Sequence, residues 1–249
     1  MRPATKTSGF CFMGILFIKE RYHMKFNEEK TGEEDKALEA DDNMFNFLIN
    51  TAEKDEPEKN RMIGIYEDVT EEAAGSIVFS LLVLHENGKY KVPKEGTEDK
   101  EELAEEDLED AWKPIKMLVS TQGGSAHEMF AIHDAMNLVK KDCELETIGM
   151  GKVMSAGVLL LASGTRGSRK IGANCRVMIH PVAGGAMGDL QDIENDIQEI
   201  KWLQKQYIKC LAEQTDLTER KIRAIMKKKI NYYFSAEEAV KMGIADEII

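Results

Sequence analysis

The 249-residue chain is predicted to fold as an α/β domain with a mostly parallel sheet. Short apolar segments typical of strands alternate with helical patterns from about Arg61 to the end of the chain. Hydrophobic residues make up 43% of the sequence, which is enough to bury a substantial core. No internal repeat is visible, so a single domain is expected behind a polar amino-terminal arm.

The first elements of this domain are a strand and a helix. Residues 62–66 are predicted to form a short apolar strand, and residues 71–85 a helix with one apolar face. Asn87-Gly88 marks a turn. Residues 88–112 then interrupt the alternation with an acidic insertion, for which a solvated loop or an exposed helix is expected.

A second strand and helix surround a glycine pair. Residues 115–119 (IKMLV) are predicted to be a buried strand, and Gly123-Gly124 makes a tight turn before a helix that runs to about Lys140. Residues 147–150 (TIGM) form the next short strand, with a turn at Gly151 after it.

The last third of the chain is predicted to be mostly helical. Residues 155–162 (SAGVLLLA) are too apolar for a surface helix, and residues 176–179 (RVMI) are a strand that ends at His180. The remaining helices are expected over residues 189–213, over residues 218–228, and from the capping box at Ser235-Ala-Glu-Glu238 to Gly243.

The net charge of -12 argues against a nucleic-acid partner, because phosphate binding requires clustered lysine and arginine. This acidity is local. Residues 28–42 hold eight acidic residues and two lysines, and residues 95–110 hold ten acidic residues and one lysine. The summed negative charge of these two runs is larger than the net negative charge of the whole chain. The acidity therefore belongs to these two segments and not to the predicted core.

Residues 1–60 are predicted to be a flexible acidic arm with one apolar island at residues 44–49. Residues 9–18 imitate the apolar part of a signal peptide, but no cleavage site of small residues follows. Residues 1–23 therefore read as an upstream extension or a disordered arm before Met24. No apolar run reaches the roughly 18 residues that a membrane span needs, so no membrane partner is expected.

The cysteines suggest neither disulfide bonds nor a metal site. Cys11, Cys143, Cys175 and Cys210 are widely spaced and form no CxxC pair. They read as buried small hydrophobic residues of a protein in a reducing compartment, which favours the cytoplasm. The sequence also lacks HExxH, GxGxxG at a helix start, and a phosphate-binding loop, so neither a metal nor a cofactor is expected.

Three features can carry chemistry. Ser155 lies at a strand-to-helix corner, where an ordinary role would be a helix cap, but where free amides also point at any oxyanion formed there. Gly123-Gly124 lets the backbone approach a ligand and offers amide donors. His180 ends a strand shortly before Gly184-Gly185. The combination is more specific than any one of these features.

These residues carry a family resemblance. GGS at 123–125, MSAG around Ser155, RVMIHP at 176–181 and SAEEAVKMGIADEI at 235–248 resemble the ClpP family of serine peptidases, in order and in spacing. Ser155 and His180 are 25 positions apart, as in the family pattern. The resemblance covers residues 61–249 apart from the acidic insertion at 88–111. It implies a ClpP/crotonase-like fold of stacked ββα units with a long handle helix.

The resemblance also assigns roles. It implies that Ser155 is the nucleophile and His180 its general base, because a serine hydroxyl is a weak nucleophile until a base takes its proton. The backbone N–H groups of Gly124 and Ala156 are implied to form the oxyanion hole. The substrate-binding residues implied are Gly123, Ser125, Gly184 and Gly185.

The third triad position departs from the family pattern. The family has Asp four residues before the Ser of its SAxEA segment, and this sequence has Asn231 there. Asparagine can accept a hydrogen bond from an imidazole, but it cannot offset the charge of an imidazolium. Three alternatives remain open: Asn231 orients His180 at a reduced rate, another carboxylate substitutes, or the chain is a weakly active or silent subunit.

The resemblance further implies a homo-oligomer, typically a tetradecamer of two heptameric rings that meet through the handle helix. Its substrate is then unfolded polypeptide, and a AAA+ unfoldase is the implied partner, although residues before Arg61 do not match the family's amino-terminal loop. Alternative functions are a phage-type head-maturation protease and a structural subunit that assembles with an active paralogue. A crotonase-type acyl-CoA enzyme is disfavoured, because it needs no Ser/His pair.

Overall fold

The computed structural model describes residues 60–96, 103–228 and 231–249. The predictions for the acidic arm, including its apolar island, the upstream extension and Cys11, lie outside the described residues. Within the described part, no helix combines the length and the apolar character needed to cross a membrane.

Nine strands and six helices alternate along the described residues. The strands are β1 Met62–Ile65, β2 Lys89–Pro93, β3 Leu108–Trp112, β4 Ile115–Thr121, β5 Leu145–Met154, β6 Arg169–Ile171, β7 Arg176–Ile179, β8 Tyr232–Phe234 and β9 Glu247–Ile248. The helices are α1 Glu71–Asn87, α2 Ala126–Val139, α3 Ala156–Ala162, α4 Leu190–Gln214, α5 Glu219–Lys227 and α6 Ala236–Lys241.

Seven of these strands form one sheet in the order β1-β4-β5-β6-β9, with β7 paired to β5 and β8 paired to β7. All pairs in this sheet are parallel except β7–β8. The predicted α/β class with a mostly parallel sheet is therefore confirmed. The predicted capping box is also present, because Ser235 and Glu238 bond each other's backbone amides at the start of α6.

Strand β5 pairs with two different strands, one after the other, along its length. Its residues 147–149 pair with β6, and its residues 152–154 pair with β7. Between them Gly151 has a φ of +64°, a conformation that glycine adopts without steric cost. The sequence predicts a strand that ends at Met150, but the chain remains extended to Met154 because β7 supplies a second set of hydrogen-bond partners. This extension carries Ser155 to the end of β7.

Helix α3 is the centre of the core. All seven of its residues are buried, as the apolar sequence of this segment predicts. It packs between strands β4 and β5 on one side and helices α2 and α4 on the other. Burial of its leucine and valine side chains stabilises the fold by about 2 kcal/mol each, and it fixes the helix whose first turn follows Ser155.

The acidic insertion differs from the prediction. Its two ends pair as an antiparallel hairpin, β2 with β3, and Glu105–Asp107 between them form one exposed turn of 3-10 helix. Cross-strand ion pairs accompany the pairing, since Asp110 lies 2.7 Å from the ammonium of Lys89 and 3.0 Å from that of Lys91. Trp112 also stacks on His85 of α1, with ring centroids 5.5 Å apart.

A buried arginine joins the end of the chain to the sheet. Arg169 in β6 is 1% exposed, and its guanidinium donates to the carboxylate of Asp246 at 2.5 and 2.8 Å. The same guanidinium donates to the carbonyl oxygens of Gln214 at 2.7 Å and Gly243 at 2.8 Å. Strand β6, the end of α4 and the segment after α6 are thereby held together by one side chain.

A buried histidine joins α2 to α3. Asn137 Nδ2 donates to His133 Nε2 at 2.9 Å, and His133 Nδ1 donates to Ser163 Oγ at 2.7 Å. The Ser163 hydroxyl donates in turn to the carbonyl oxygen of Leu159 at 2.7 Å. In this series of hydrogen bonds Nε2 accepts and Nδ1 donates, so the imidazole of His133 must be neutral. Burial favours the neutral form, because it lowers the pKa of His133 to about 4.

We expect His133 to make the fold sensitive to mild acid. Its pKa is 6.5 in the unfolded chain and about 4 in the fold, so its contribution is complete above pH 6.5 and is lost as the pH falls toward 4. Between pH 8 and pH 5 the free energy of unfolding is expected to fall by about 2 kcal/mol from this group alone. Urea unfolding at both pH values, at one protein concentration, measures the change.

The control for this prediction is His133→Gln, which removes the titrating group. The variant is expected to be less stable at pH 8, and its loss of stability between pH 8 and pH 5 should be about 2 kcal/mol smaller than that of the wild type. If the wild type and His133→Gln lose the same unfolding free energy between pH 8 and pH 5, then His133 is not the group responsible for the acid sensitivity.

Candidate active site

Ser155 occupies the corner between β5 and α3 in a strained backbone conformation. Its φ of +53° is the one positive φ of a non-glycine residue in the described part of the chain. Its N–H donates to the carbonyl oxygen of Met178 at 2.8 Å, and its own carbonyl oxygen accepts from the Tyr207 hydroxyl at 2.9 Å. Its side chain caps no helix amide, so Ser155 is more than an N-cap residue.

The Ser155 side chain contacts His180. The distance between Ser155 Oγ and His180 Nε2 is 2.7 Å, within the range for proton transfer from a hydroxyl to a base. His180 follows the last residue of β7, and β7 pairs with the second half of β5. The two side chains therefore meet because neighbouring parallel strands end at the same edge of the sheet.

Two backbone amides beside Ser155 are available as donors. Val69 bridges the glycine turn, since its N–H donates to the Gly123 carbonyl oxygen and its carbonyl oxygen accepts from the Ser125 N–H. In extended backbone, the N–H groups of successive residues point to opposite sides, so the Gly124 N–H points away from Val69. The Ala156 N–H opens α3 and has no partner within the helix. Neither amide has an acceptor among the described residues, and both residues line the same cleft.

Gly123 lies behind the nucleophile. A Cβ at this position would be 2.5 Å from the Ser155 Cβ and 3.0 Å from its Oγ, and the φ of +111° disfavours any side chain. We expect Gly123→Ala to slow labelling of Ser155 by a fluorophosphonate at least tenfold, because the serine must move away from His180. The matched control is Gly75→Ala, which has open space around it on α1 and should label at the wild-type rate.

The cleft in front of Ser155 has a volume of about 490 Å³. Of the four residues predicted to bind substrate, Ser125, Gly184 and Gly185 line it, and Gly123 does not. The sequence pattern does not predict the contribution of α4, which lines the cleft with Asp196, Glu199, Ile200, Leu203 and Tyr207. The spacing of these five residues shows that they share one face of the helix. It does not show which other element of the fold that face contacts.

Asn231 immediately precedes β8 and makes no hydrogen bond to His180. Strand β8 pairs antiparallel with β7 up to Tyr232 opposite Ile179, and one further step of this register would set Asn231 opposite His180. Residues opposite each other in such a pair have Cβ atoms about 5 Å apart. Asn231 is exposed, and among the described residues the hydrogen-bond partner of the His180 ring is Ser155 alone. The role of Asn231 as a third member of the site therefore stays a prediction.

The three cysteines that the structure describes lie away from the cleft. Cys143 and Cys175 are buried as predicted, and Cys210 is half-buried. Burial raises the pKa of all three thiols, that of Cys175 to about 11, which disfavours reactive thiolates. The described residues contain no group of three or more His, Cys, Asp or Glu side chains suited to a metal ion.

Comparison with known proteins gives a consistent result. The profile of the Clp protease family matches residues 100–249, a range that includes Ser155, His180 and Asn231. The chain is also 39% identical over 144 residues to the ATP-dependent Clp protease proteolytic subunit 2 of Prochlorococcus marinus (strain NATL2A). That alignment covers 57% of this chain and 70% of the relative. The predicted family resemblance and the ClpP/crotonase-like fold with its long helix α4 are confirmed.

Proposed function

Because the chain belongs to the Clp protease family of serine peptidases, we propose that it is an endopeptidase that cleaves unfolded polypeptides inside an oligomeric chamber. The observation that carries the proposal is the 2.7 Å contact between Ser155 Oγ and His180 Nε2. The strained turn at Ser155 and the two amides of Gly124 and Ala156 support it, since they supply the nucleophile and the oxyanion donors that peptide cleavage needs.

In the proposed reaction, His180 Nε2 takes the proton of Ser155 as Oγ attacks the carbonyl carbon of the substrate. The carbonyl oxygen becomes an oxyanion, which accepts hydrogen bonds from the amides of Gly124 and Ala156. His180 then returns the proton to the leaving amine, and the C–N bond breaks to leave an acyl group on Ser155. Water attacks this ester with His180 again as the base, the bond between the acyl carbon and Oγ breaks, and His180 returns the proton to Oγ as the acyl group leaves as a carboxylic acid.

Asn231 limits the rate in this proposal. Among the described residues no carboxylate is hydrogen-bonded to His180, and a neutral amide stands where the family has Asp, so the imidazolium that forms on His180 lacks the charge partner of the usual triad. We therefore assign the chain a slow turnover and not the full rate of an Asp-containing triad. A non-catalytic subunit that assembles with an active paralogue is the second candidate, because the same substitution favours it.

Helix α4 supports the proposed oligomer. Its first half is exposed and carries Leu190 and Ile197, which are 73% and 41% exposed and lie seven residues apart on one face. Exposed apolar side chains on one helix face are typical of contacts with other chains. We propose that two copies meet along α4, in a tetradecamer of two heptameric rings. The relative's name includes "ATP-dependent", which supports an ATP-driven partner, and we propose a AAA+ unfoldase in that role and a cytoplasmic location.

Labelling with a fluorophosphonate tests the catalytic proposal. The wild type is expected to be labelled on Ser155, and Ser155→Ala is expected to lose the label. Ser76→Ala, a change of an exposed serine on α1, should be labelled like the wild type. If the wild type takes up no more label than Ser155→Ala, the nucleophile assignment fails and the non-catalytic subunit becomes the better description.

Light scattering tests the chamber. A particle of about fourteen subunits at micromolar concentration is expected, whatever the outcome of labelling. A clean monomer under these conditions would contradict the proposed assembly.

A further inference from the structure

We infer that the cleft beside Ser155 selects polypeptides with lysine or arginine at the residue preceding the cleaved bond, through the carboxylates of Asp196 and Glu199. This inference rests on the proposed peptidase function and names the substrate class of the same site. Both acids belong to α4 and line the cleft together with Ser155 and His180. They lie three residues apart on one face of the helix, so they act on the same part of the cleft.

The cleft changes from apolar to acidic along α4. Its inner wall is formed by Met129, Leu203 and Tyr207, which are 2%, 7% and 4% exposed. Its outer wall is formed by Asp196 and Glu199, which are exposed. One helical turn of 5.4 Å separates Leu203 from Glu199.

This arrangement fits a long cationic side chain. Lysine and arginine bury an aliphatic stem against apolar surface and keep the charged end in a polar environment. In this cleft the stem would pack on the inner wall, and the charged end would reach the carboxylates about one turn away. A leucine or methionine side chain fills the inner wall but leaves the carboxylates unused.

The charge of the cleft points to the same class of substrate. Among the described residues that line it there is no lysine or arginine, and its ionisable groups are the two carboxylates, His127, His180 and the buried phenol of Tyr207. His127 Nε2 lies 3.4 Å from Glu199 Oε1, which joins α2 to α4 across the cleft. The two carboxylates attract a cationic side chain and repel an acidic one.

Three peptides test the inference. They carry lysine, leucine or glutamate at the residue before a fluorogenic amide and are otherwise identical. For the wild type at pH 8 and low salt, kcat/KM is expected to be at least about tenfold higher for the lysine peptide than for the glutamate peptide, because both carboxylates act on one charge. This ratio should decrease as salt rises, since the carboxylates are exposed.

The matched variants are Asp196→Asn with Glu199→Gln, and Glu194→Gln as the control. The double variant is expected to lower the lysine-to-glutamate ratio to about one, because it removes both charges from the cleft. Glu194 lies on α4 and is exposed but does not line the cleft, so its variant should keep the wild-type ratio. Circular dichroism checks that each variant is folded.

The outcomes distinguish a failure of the inferred substrate selection from a failure of the proposed peptidase function. If the wild type cleaves the leucine peptide but shows a ratio near one, or a ratio that the double variant does not change, the selection of basic residues is overturned and the peptidase proposal stands. If no peptide is cleaved and the probe does not label Ser155, the proposed function fails and this inference falls with it. A loss of cleavage in Ser155→Ala confirms that the measured rates belong to this site.

Discussion

Replacing Asn231 by Asp is expected to raise kcat for peptide hydrolysis by about a hundredfold or more. One further step of the β7–β8 register, which ends with Tyr232 opposite Ile179, would set this residue opposite His180, where a carboxylate could accept the Nδ1 proton and offset the imidazolium charge. In the trypsin triad, the reverse change from Asp to Asn lowers kcat by about 10⁴. A smaller gain is expected here, because Asn231 is exposed and water screens the new charge.

The rate of the variant is measured with a peptide that the wild type cleaves, over a range of pH. Asn87→Asp at the end of α1 adds the same charge far from the cleft in sequence and should leave kcat unchanged. If Asn231→Asp is no faster than the wild type, then Asn231 is not the third member of the triad. A different carboxylate, or none, then orients His180.

Replacing Asp246 by Asn is expected to lower the free energy of unfolding by about 3 kcal/mol. Asp246 is the carboxylate partner of Arg169, whose side chain is 2% exposed, and Asn would leave that guanidinium buried without a counter-charge. The amide nitrogen of Asn would also face donors, since the N–H groups of Gly167 and Arg169 both bond to the Asp246 carboxylate at 2.7 and 3.0 Å. Urea unfolding at neutral pH measures the change as a shift in midpoint.

An exposed ion pair provides the control for this prediction. Asp216 lies 3.2 Å from Arg166, but the two side chains are 63% and 55% exposed. Asp216→Asn is expected to cost less than about 1 kcal/mol, because water already screens the pair. If Asp216→Asn and Asp246→Asn lower the free energy of unfolding by similar amounts, then burial of Arg169 does not determine the effect of losing its carboxylate partner.

The elements that the sequence predicts well have strong local signals. The buried helix α3 is apolar at every position, and the first turn of α6 contains a capping box. Ser155 and His180 belong to short motifs at a fixed spacing, and the structure brings their side chains into contact. Such features depend on residues that are near each other in the chain, so local physics suffices to predict them.

The features that the sequence does not predict depend on distant partners. In the β2–β3 hairpin, lysines of one strand pair with an acid of the other across a segment whose acidic composition alone favours a loop. The Tyr207 hydroxyl reaches the Ser155 carbonyl oxygen from 52 positions away. A periodic pattern shows that a helix has an apolar face, but it does not show which carbonyl or which cleft that face meets.

By itself, the sequence determined the fold class, the family resemblance and the identities of Ser155, His180 and Asn231 as candidates. Only the tertiary structure decided that β5 continues past Gly151 to pair with β7, that Ser155 is the hydrogen-bond partner of the His180 ring among the described residues, and that α4 adds an acidic wall to the cleft. The physical reason is that motifs record which groups are present, whereas strand register and helix packing set the distances between them. Catalysis and substrate selection depend on those distances.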